Sequence, residues 1–249
     1  MIELKTAEEI ARMRRAGAIV AKLLAFLVGR VAPGIKTNAL DEAAVEFIRS
    51  HGAEPAFLGY RGFPASICVS INEEVVHGIP GERVIRVRDV VSLDAGVKLD
   101  GYYADAALTV SVDGVSPAVQ RLIEVTKGAL DNAMAVARPG HRLSDISHSI
   151  QQTVEREGLS VVRDFVGHGI GRQMHEDPPI PNFGPPNRGP RLKPGMVLAI
   201  EPMVTMGSWE TEVLADGWTA VTKDHSLAAH FEHTVAITEQ GPEILTQFT

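Results

Sequence analysis

The chain has 249 residues, enough to bury a sizeable core as one large domain or two small ones. Its formal net charge of -7 argues against a general binder of nucleic acid or anionic membrane, although it leaves room for a local basic patch. The lone cysteine, Cys68, excludes an intrachain disulfide and suits a reducing compartment. In chain order, Met1 to Thr6 lacks the basic-then-apolar layout of a signal peptide. Leu23 to Val28, the longest apolar run, is far too short to span a bilayer, so a cytoplasmic protein is expected. Thr6-Ala7-Glu8-Glu9 reads as a capping box and predicts a helix to about Val31, broken by Pro33-Gly34. A second helix should run from about Asn38 to His51, with Gly52 placed to end it. Glycines, prolines and strand-like runs fill Phe57 to Val112. Ser116-Pro117 opens a third helix, as N-cap and first-turn proline, reaching about Ala137. A fourth should span about Ser144 to Glu157, before Gly158, and the remainder reads as strands and loops.

That order repeats. Pro33-Gly34 and Pro139-Gly140 stand 106 positions apart, as do Gly52 and Gly158, and each pair brackets an amphipathic helix. Val90 to Asp94 and Val197 to Glu201 each end an apolar strand on an acid. Pro-Gly and Gly punctuate many helices, which is the plainer account. The fuller one is two helix-helix-strand halves, roughly 6–112 and 115–240, within one domain spanning 1–249.

Gly167-His168-Gly169-Ile170-Gly171 and Met174-His175-Glu176 place two histidines among glycines, where a flexible loop could aim both imidazoles. Such imidazoles suit a metal or a proton-transfer step, and acidic residues elsewhere must decide. Four acids interrupt apolar strands: Asp94, Asp105, Glu201 and Glu232. Asp100-Gly101 predicts a tight hairpin that sets Asp94 opposite position 107 and diagonal to Asp105, on a shared face. One such acid could face solvent or an arginine, but four buried carboxylates without interleaved lysine or arginine call for cations. The donor set is oxygen-rich and suits a pair of Mn, Fe, Co or Zn ions.

With these residues together, the chain resembles the short bacterial, type I methionine aminopeptidases. The likeness rests on Gly59-Tyr60-Arg61-Gly62-Phe63-Pro64, on Ser66 to Pro80 with its Val76-His77-Gly78-Ile79-Pro80, and on Leu93-Asp94-Ala95-Gly96. It continues through Gly167 to Pro178, Ala199-Ile200-Glu201-Pro202-Met203, Asp216-Gly217-Trp218-Thr219 and Phe231-Glu232-His233-Thr234. The resemblance implies an α/β pita-bread fold, two pseudo-two-fold-related halves with helices packed outside a curved antiparallel sheet. It implies two divalent ions held by Asp94, Asp105, His168, Glu201 and Glu232, with Asp105 and Glu232 bridging. Glu201 would also serve as general base for a metal-bridging hydroxide, and His77 and His175 would hydrogen-bond the peptide and its tetrahedral intermediate.

The family's methionine pocket maps onto Tyr60, Phe63, Cys68, Met174 and Trp218, joined by His77 and His175. Ordinary core packing would equally account for Phe63 and Cys68. Met174 departs from the Phe or Leu common beside this histidine. His51, His141, His148, His225, His230 and His233 read as surface or structural. The implied activity is removal of the initiator methionine from nascent proteins and peptides with a small second residue. The implied partners are those peptides, with transient ribosome contact left open, no nucleic acid, no membrane and a monomer by default. Prolidase and aminopeptidase P share the ligand set but carry a separate N-terminal domain, and type II enzymes carry an insertion that Glu201 to Glu232 cannot hold. A metal-free binding module on this scaffold would have replaced one or more of the five ligands or His77 and His175, and all seven positions are filled.

Overall fold

The computed structural model describes residues 2–248. Helix α1 covers Ala7–Val28 and α2 covers Thr37–Ser50. Strands β1 (Glu54–Pro55), β2 (Ile67–Ile71), β3 (Glu74–Val76), β4 (Val90–Leu99) and β5 (Tyr102–Ser111) follow. Helices α3 (Pro117–Val136) and α4 (Leu143–Glu155) precede β6 (Ser160–Val161), β7 (Gly167–Gly169), β8 (Glu176–Ile180) and β9 (Val197–Ile200). The chain then forms β10 (Met203–Thr205), β11 (Thr211–Val213), β12 (Ala220–Thr222), β13 (Ala228–His230), β14 (Glu232–Thr238) and β15 (Gly241–Ile244).

The caps act as the sequence suggests. Thr6 Oγ1 accepts from the Glu9 amide at 3.3 Å, and the Glu9 carboxylate accepts from the Thr6 amide at 2.9 Å. Ser116 caps α3 by accepting from the Val119 amide. Helix α1 ends at Val28, three residues short of the expected end, because the amides of Arg30 and Val31 both turn onto the Leu27 carbonyl. Replacing Thr6 with Ala leaves an amide of the first turn without its acceptor. A loss of about 1 kcal/mol is expected, seen as a fall of about 2–4 °C in a thermal melt, and an unchanged melt would show the cap to be idle.

The principal sheet has nine strands in the order β1-β4-β5-β14-β9-β7-β8, with β2 added to β4 and β15 to β14. Every pairing in it is antiparallel. Two smaller sheets, β13-β10-β6 and β11-β12-β3, stand beside it. The Asp100-Gly101 turn has positive φ at both residues, 50° and 81°, and fixes the register, setting Asp94 opposite Ala107 and Gly96 opposite Asp105.

Alternation along the strands then sorts the two faces. Leu93, Ala95 and Val97 of β4 pack with Leu23, Leu24 and Leu27 of α1 and with Leu40 and Ile48 of α2. Leu198 and Ile200 of β9 and Val235 and Ile237 of β14 pack with Leu130, Ile146 and Ile150 of α3 and α4. Both helix pairs therefore cover one face of the sheet, and the acidic positions point to the other. Asp94 lies in the middle of β4 rather than at its end, because the strand continues to Leu99. Among the described residues no helix is long and apolar enough to cross a membrane.

Candidate metal centre

Four neighbouring strands, β4, β5, β14 and β9, bring the acids together. Ala107 of β5 pairs with Asp94 on one side and with Glu232 on the other. Its methyl group leaves open space between two carboxylates that stand 138 positions apart in the chain. Asp105 shares the face of Ala107. Thr234 holds the Asp105 backbone, accepting from its amide at 2.9 Å and donating to its carbonyl at 2.8 Å through one hydroxyl. Glu201 follows β9, one position beyond the His233–Ile200 pair, and His168 lies opposite Ala199.

His168 sits in a strand, not in the loop expected from its glycines. β7 is squeezed between β8 and β9, and a Cβ on Gly167 or Gly169 would run into the carbonyls of Ala199 and Asp177. The glycines thus permit a close approach of three backbones. His168 Nδ1 donates to the Gly169 carbonyl at 2.9 Å, which leaves the Nε2 lone pair facing the carboxylates, 3.5 Å from Glu201 Oε1.

The electrostatics of this cluster are costly. Burial, reinforced by the neighbouring acids, pushes Asp94, Glu201 and Glu232 well above the usual carboxylate range. Burial raises Asp105 to about 7. Asp94 Oδ1, Asp105 Oδ1 and Glu232 Oε1 are buried with no hydrogen-bond partner. Among the described residues no lysine or arginine pairs with any of the four. Ionised and unpaired, such groups cost several kcal/mol each. Ligand atoms of Asp105, His168 and Glu232 lie within 4.8 Å of one another, which is the spacing a shared cation takes up. Orphaned oxygens, a free imidazole nitrogen and mutual proximity fit divalent metal.

The cluster forms one end of a cavity of about 280 Å³. Its apolar wall contains Phe63, Cys68 and Trp218, with the Phe63 and Trp218 rings edge to face at 5.2 Å. Asp41 of α2 accepts from the amides of Ser66 and Ile67, fixing the start of β2 and so the placement of Cys68. Burial, followed by the charges of Asp94 and Asp105, drives the Cys68 thiol far up and keeps it protonated.

His77 and His175 also line the cavity. His77, with φ near 60°, lies edge-on to Phe165 and Trp218. His175 Nδ1 lies 2.9 Å from the Tyr60 hydroxyl, and the two rings stack. Desolvation lowers the titration of His77, and desolvation plus the nearby His168, Arg61 and His77 lowers that of His175 to about 3, so both imidazoles are neutral near pH 7.

Six of the seven expected pocket residues line the cavity: Tyr60, Phe63, Cys68, His77, His175 and Trp218. Met174 does not. It is buried among Phe57, Phe63 and Cys68, and its methyl group packs over Gly96, because its strand-side neighbour there has no side chain to fill the space. Phe165, Asp164 and Met203 line the cavity and carry no local signal beyond Met203 following Glu201-Pro202. His230 is buried, with Nε2 unpartnered and 3.7 Å from Glu201 Oε2. Its alternation with Glu232 across Phe231 was the available clue.

This geometry agrees with what the chain is related to. The profile of Metallopeptidase family M24 matches residues 11–239. The chain belongs to that family. Within M24 its relatives include methionine aminopeptidase 1 of Bacillus subtilis (strain 168), 56% identical over 247 residues, covering 99% of this chain and 100% of that one. The crystal structure of methionine aminopeptidase from Thermotoga maritima has a TM-score of 0.98 at 48% identity, covering 99% and 100% of the two chains. Prolidase from Pyrococcus furiosus, 23% identical with a TM-score of 0.81, shares the fold over 98% of this chain and 65% of its own. The M24 chain therefore has the pita-bread architecture, a curled antiparallel sheet backed by helices, and it is a metallopeptidase.

Proposed function

We propose that this M24 chain is a methionine aminopeptidase that releases the initiator methionine from nascent proteins and peptides with a small second residue. The observation that carries the reading is one cavity joining an unneutralised four-carboxylate cluster to an apolar wall of Phe63, Cys68 and Trp218. A thioether packs well against such ring edges, and a cavity of about 280 Å³ limits what can follow it. The names of full-length relatives near half identity support the same activity. The whole chain acts as one catalytic domain of two like halves, a monomer in the cytoplasm, meeting its peptides at or soon after leaving the ribosome.

Asp94, Asp105, His168, Glu201 and Glu232 would hold a pair of divalent ions, with Asp105 and Glu232 shared, and Mn, Co, Fe and Zn all suit the donors. Such a pair supplies a water-derived nucleophile at neutral pH and polarises the scissile carbonyl. The chain does the rest. Glu201, facing the cavity beside His168, accepts a proton and returns it to the departing amine. With the Tyr60 hydroxyl donating to His175 Nδ1, the Nε2–H of that ring is left to donate to the substrate carbonyl oxygen. His77, neutral and held edge-on to Phe165 and Trp218, hydrogen-bonds the peptide.

Reconstitution decides the reading. Metal-free protein loaded anaerobically with each divalent ion should cleave Met-Ala-Ser, leave Leu-Ala-Ser and Met-Leu-Ser nearly untouched, and bind close to two ions per chain. No turnover with any ion, or equal cleavage of the leucine peptide, would sink it.

A further inference from the structure

A second cleft, of about 330 Å³, opens beside the catalytic cavity, and Asp164 and Phe165 line both. Its opposite wall is β11, the outer strand of the β11-β12-β3 sheet. The Glu210 carbonyl accepts from the Lys223 amide, and the Leu214 amide donates to the Thr219 carbonyl. Positions 210, 212 and 214 therefore turn their backbone groups toward β12. Antiparallel alternation sends the amides and carbonyls of Thr211 and Val213 the other way, to the free side of the strand. Among the described residues no other strand pairs there. The Thr211 hydroxyl donates to Asp164 Oδ2 at 2.7 Å and fixes the spacing between the walls.

An unpaired edge of this kind is a template for an added strand. The occupant follows from the position of the edge. A peptide whose first residue fills the closed end of the catalytic cavity must leave through its mouth, and this cleft continues from that mouth. Three extended residues span roughly 10 Å, the length of β11. The charges lining the cleft also select. Asp164, Glu210 and Glu212 outnumber Lys223, which reaches Glu210 only at 4.0 Å, while Arg163 lies over the Trp209 ring at 4.9 Å.

We propose that the free edge of β11 binds the substrate downstream of the cleaved bond as an added β-strand, with residues three to five extended along it. Glu210 and Glu212 then favour a basic over an acidic residue at position four. This rests on the aminopeptidase reading and adds the specificity beyond the second residue.

The test uses the full chain loaded with Mn and compares kcat/KM on Met-Ala-Ser, Met-Ala-Ser-Lys-Val and Met-Ala-Ser-Glu-Val. The lysine peptide should exceed the glutamate peptide by about fivefold. Paired Glu210→Gln and Glu212→Gln changes should bring that ratio close to one. Two further lysine peptides carry a single N-methyl group, at residue four or at residue five. Only one of two successive amides can face the strand, so one peptide should lose about tenfold and the other little. Equal rates on the lysine and glutamate peptides, or the same loss at both methylated positions, would overturn the proposal. Failure to cleave Met-Ala-Ser at all would instead overturn the activity on which it rests.

Discussion

Changing Asp105 to Asn should abolish activity and, in the metal-free protein, raise the melting temperature. The activity loss is expected to reach about 10³-fold or more, since a shared ligand supports several kcal/mol of transition-state charge stabilisation. The gain in stability has an independent cause. Burial raises the Asp105 carboxyl to about 7 in the folded protein, far above its value of 3.8 in an open chain. The folded state therefore holds more protons than the unfolded state in that interval, and stability falls as pH rises through it. At pH 8 the whole penalty is present. An uncharged amide removes it, and a stabilisation on the order of 1–3 kcal/mol is expected, worth about 2–4 °C per kcal/mol for a chain of this size. Metal-free parent protein should also melt higher at pH 6.5 than at pH 8, and the variant should show less of this rise. Below pH 6.5 the buried histidines work against this gain. His168, held near 4 by burial, and His230, near 3, resist protonation in the folded state, so acid favours unfolding. Melting curves of chelator-treated proteins at the two pH values check both signs, and a metal-free variant melting below its parent would refute the account.

His175→Ala should reduce kcat by about 10²–10³-fold with little change in bound metal, the loss usual for one oxyanion donor. The side chain lies on the rim and is not among the clustered donor atoms, so the metal ligands stay in place without it. The pH profile provides the sharper check. Burial, followed by the nearby His168, Arg61 and His77, holds His175 near 3, so its ring stays neutral throughout pH 5–9. The variant profile should therefore be the parent profile scaled down, with its inflections in place. Tyr60→Phe should cost about tenfold by the same route, because it removes the hydroxyl that orients the ring and not the donor itself. Loss of metal from His175→Ala, or a shifted inflection, would assign this histidine a different role.

These expectations rest on features of different legibility. The Thr6 and Ser116 caps and the Asp100-Gly101 turn were readable because each involves residues within three or four positions. The turn alone set the Asp94–Ala107 register, which made the shared face of Asp94 and Asp105 foreseeable. The strand around His168 was not, since glycines that permit close backbone approach look in sequence like glycines that permit a loop. Met174 lies outside the cavity lining, which its place beside His175 does not reveal. Its neighbour His175 does reach the cavity, but the two successive side chains point apart, and the space above Gly96 takes the methionine.

The amino-acid order by itself determined the local elements, the register of the β4–β5 hairpin, and the presence of four acids on strands too apolar to shelter them unaided. Only the tertiary structure decided that β14 would lie against β5 and β9, setting Glu232 across Ala107 from Asp94 and beside Glu201. It also set Phe165, Asp164 and His230 at the same centre. Those pairings join residues 30 to 140 positions apart. They are selected by the packing of both helix pairs against one sheet face, and no short-range pattern in the chain encodes which strand that packing will bring alongside.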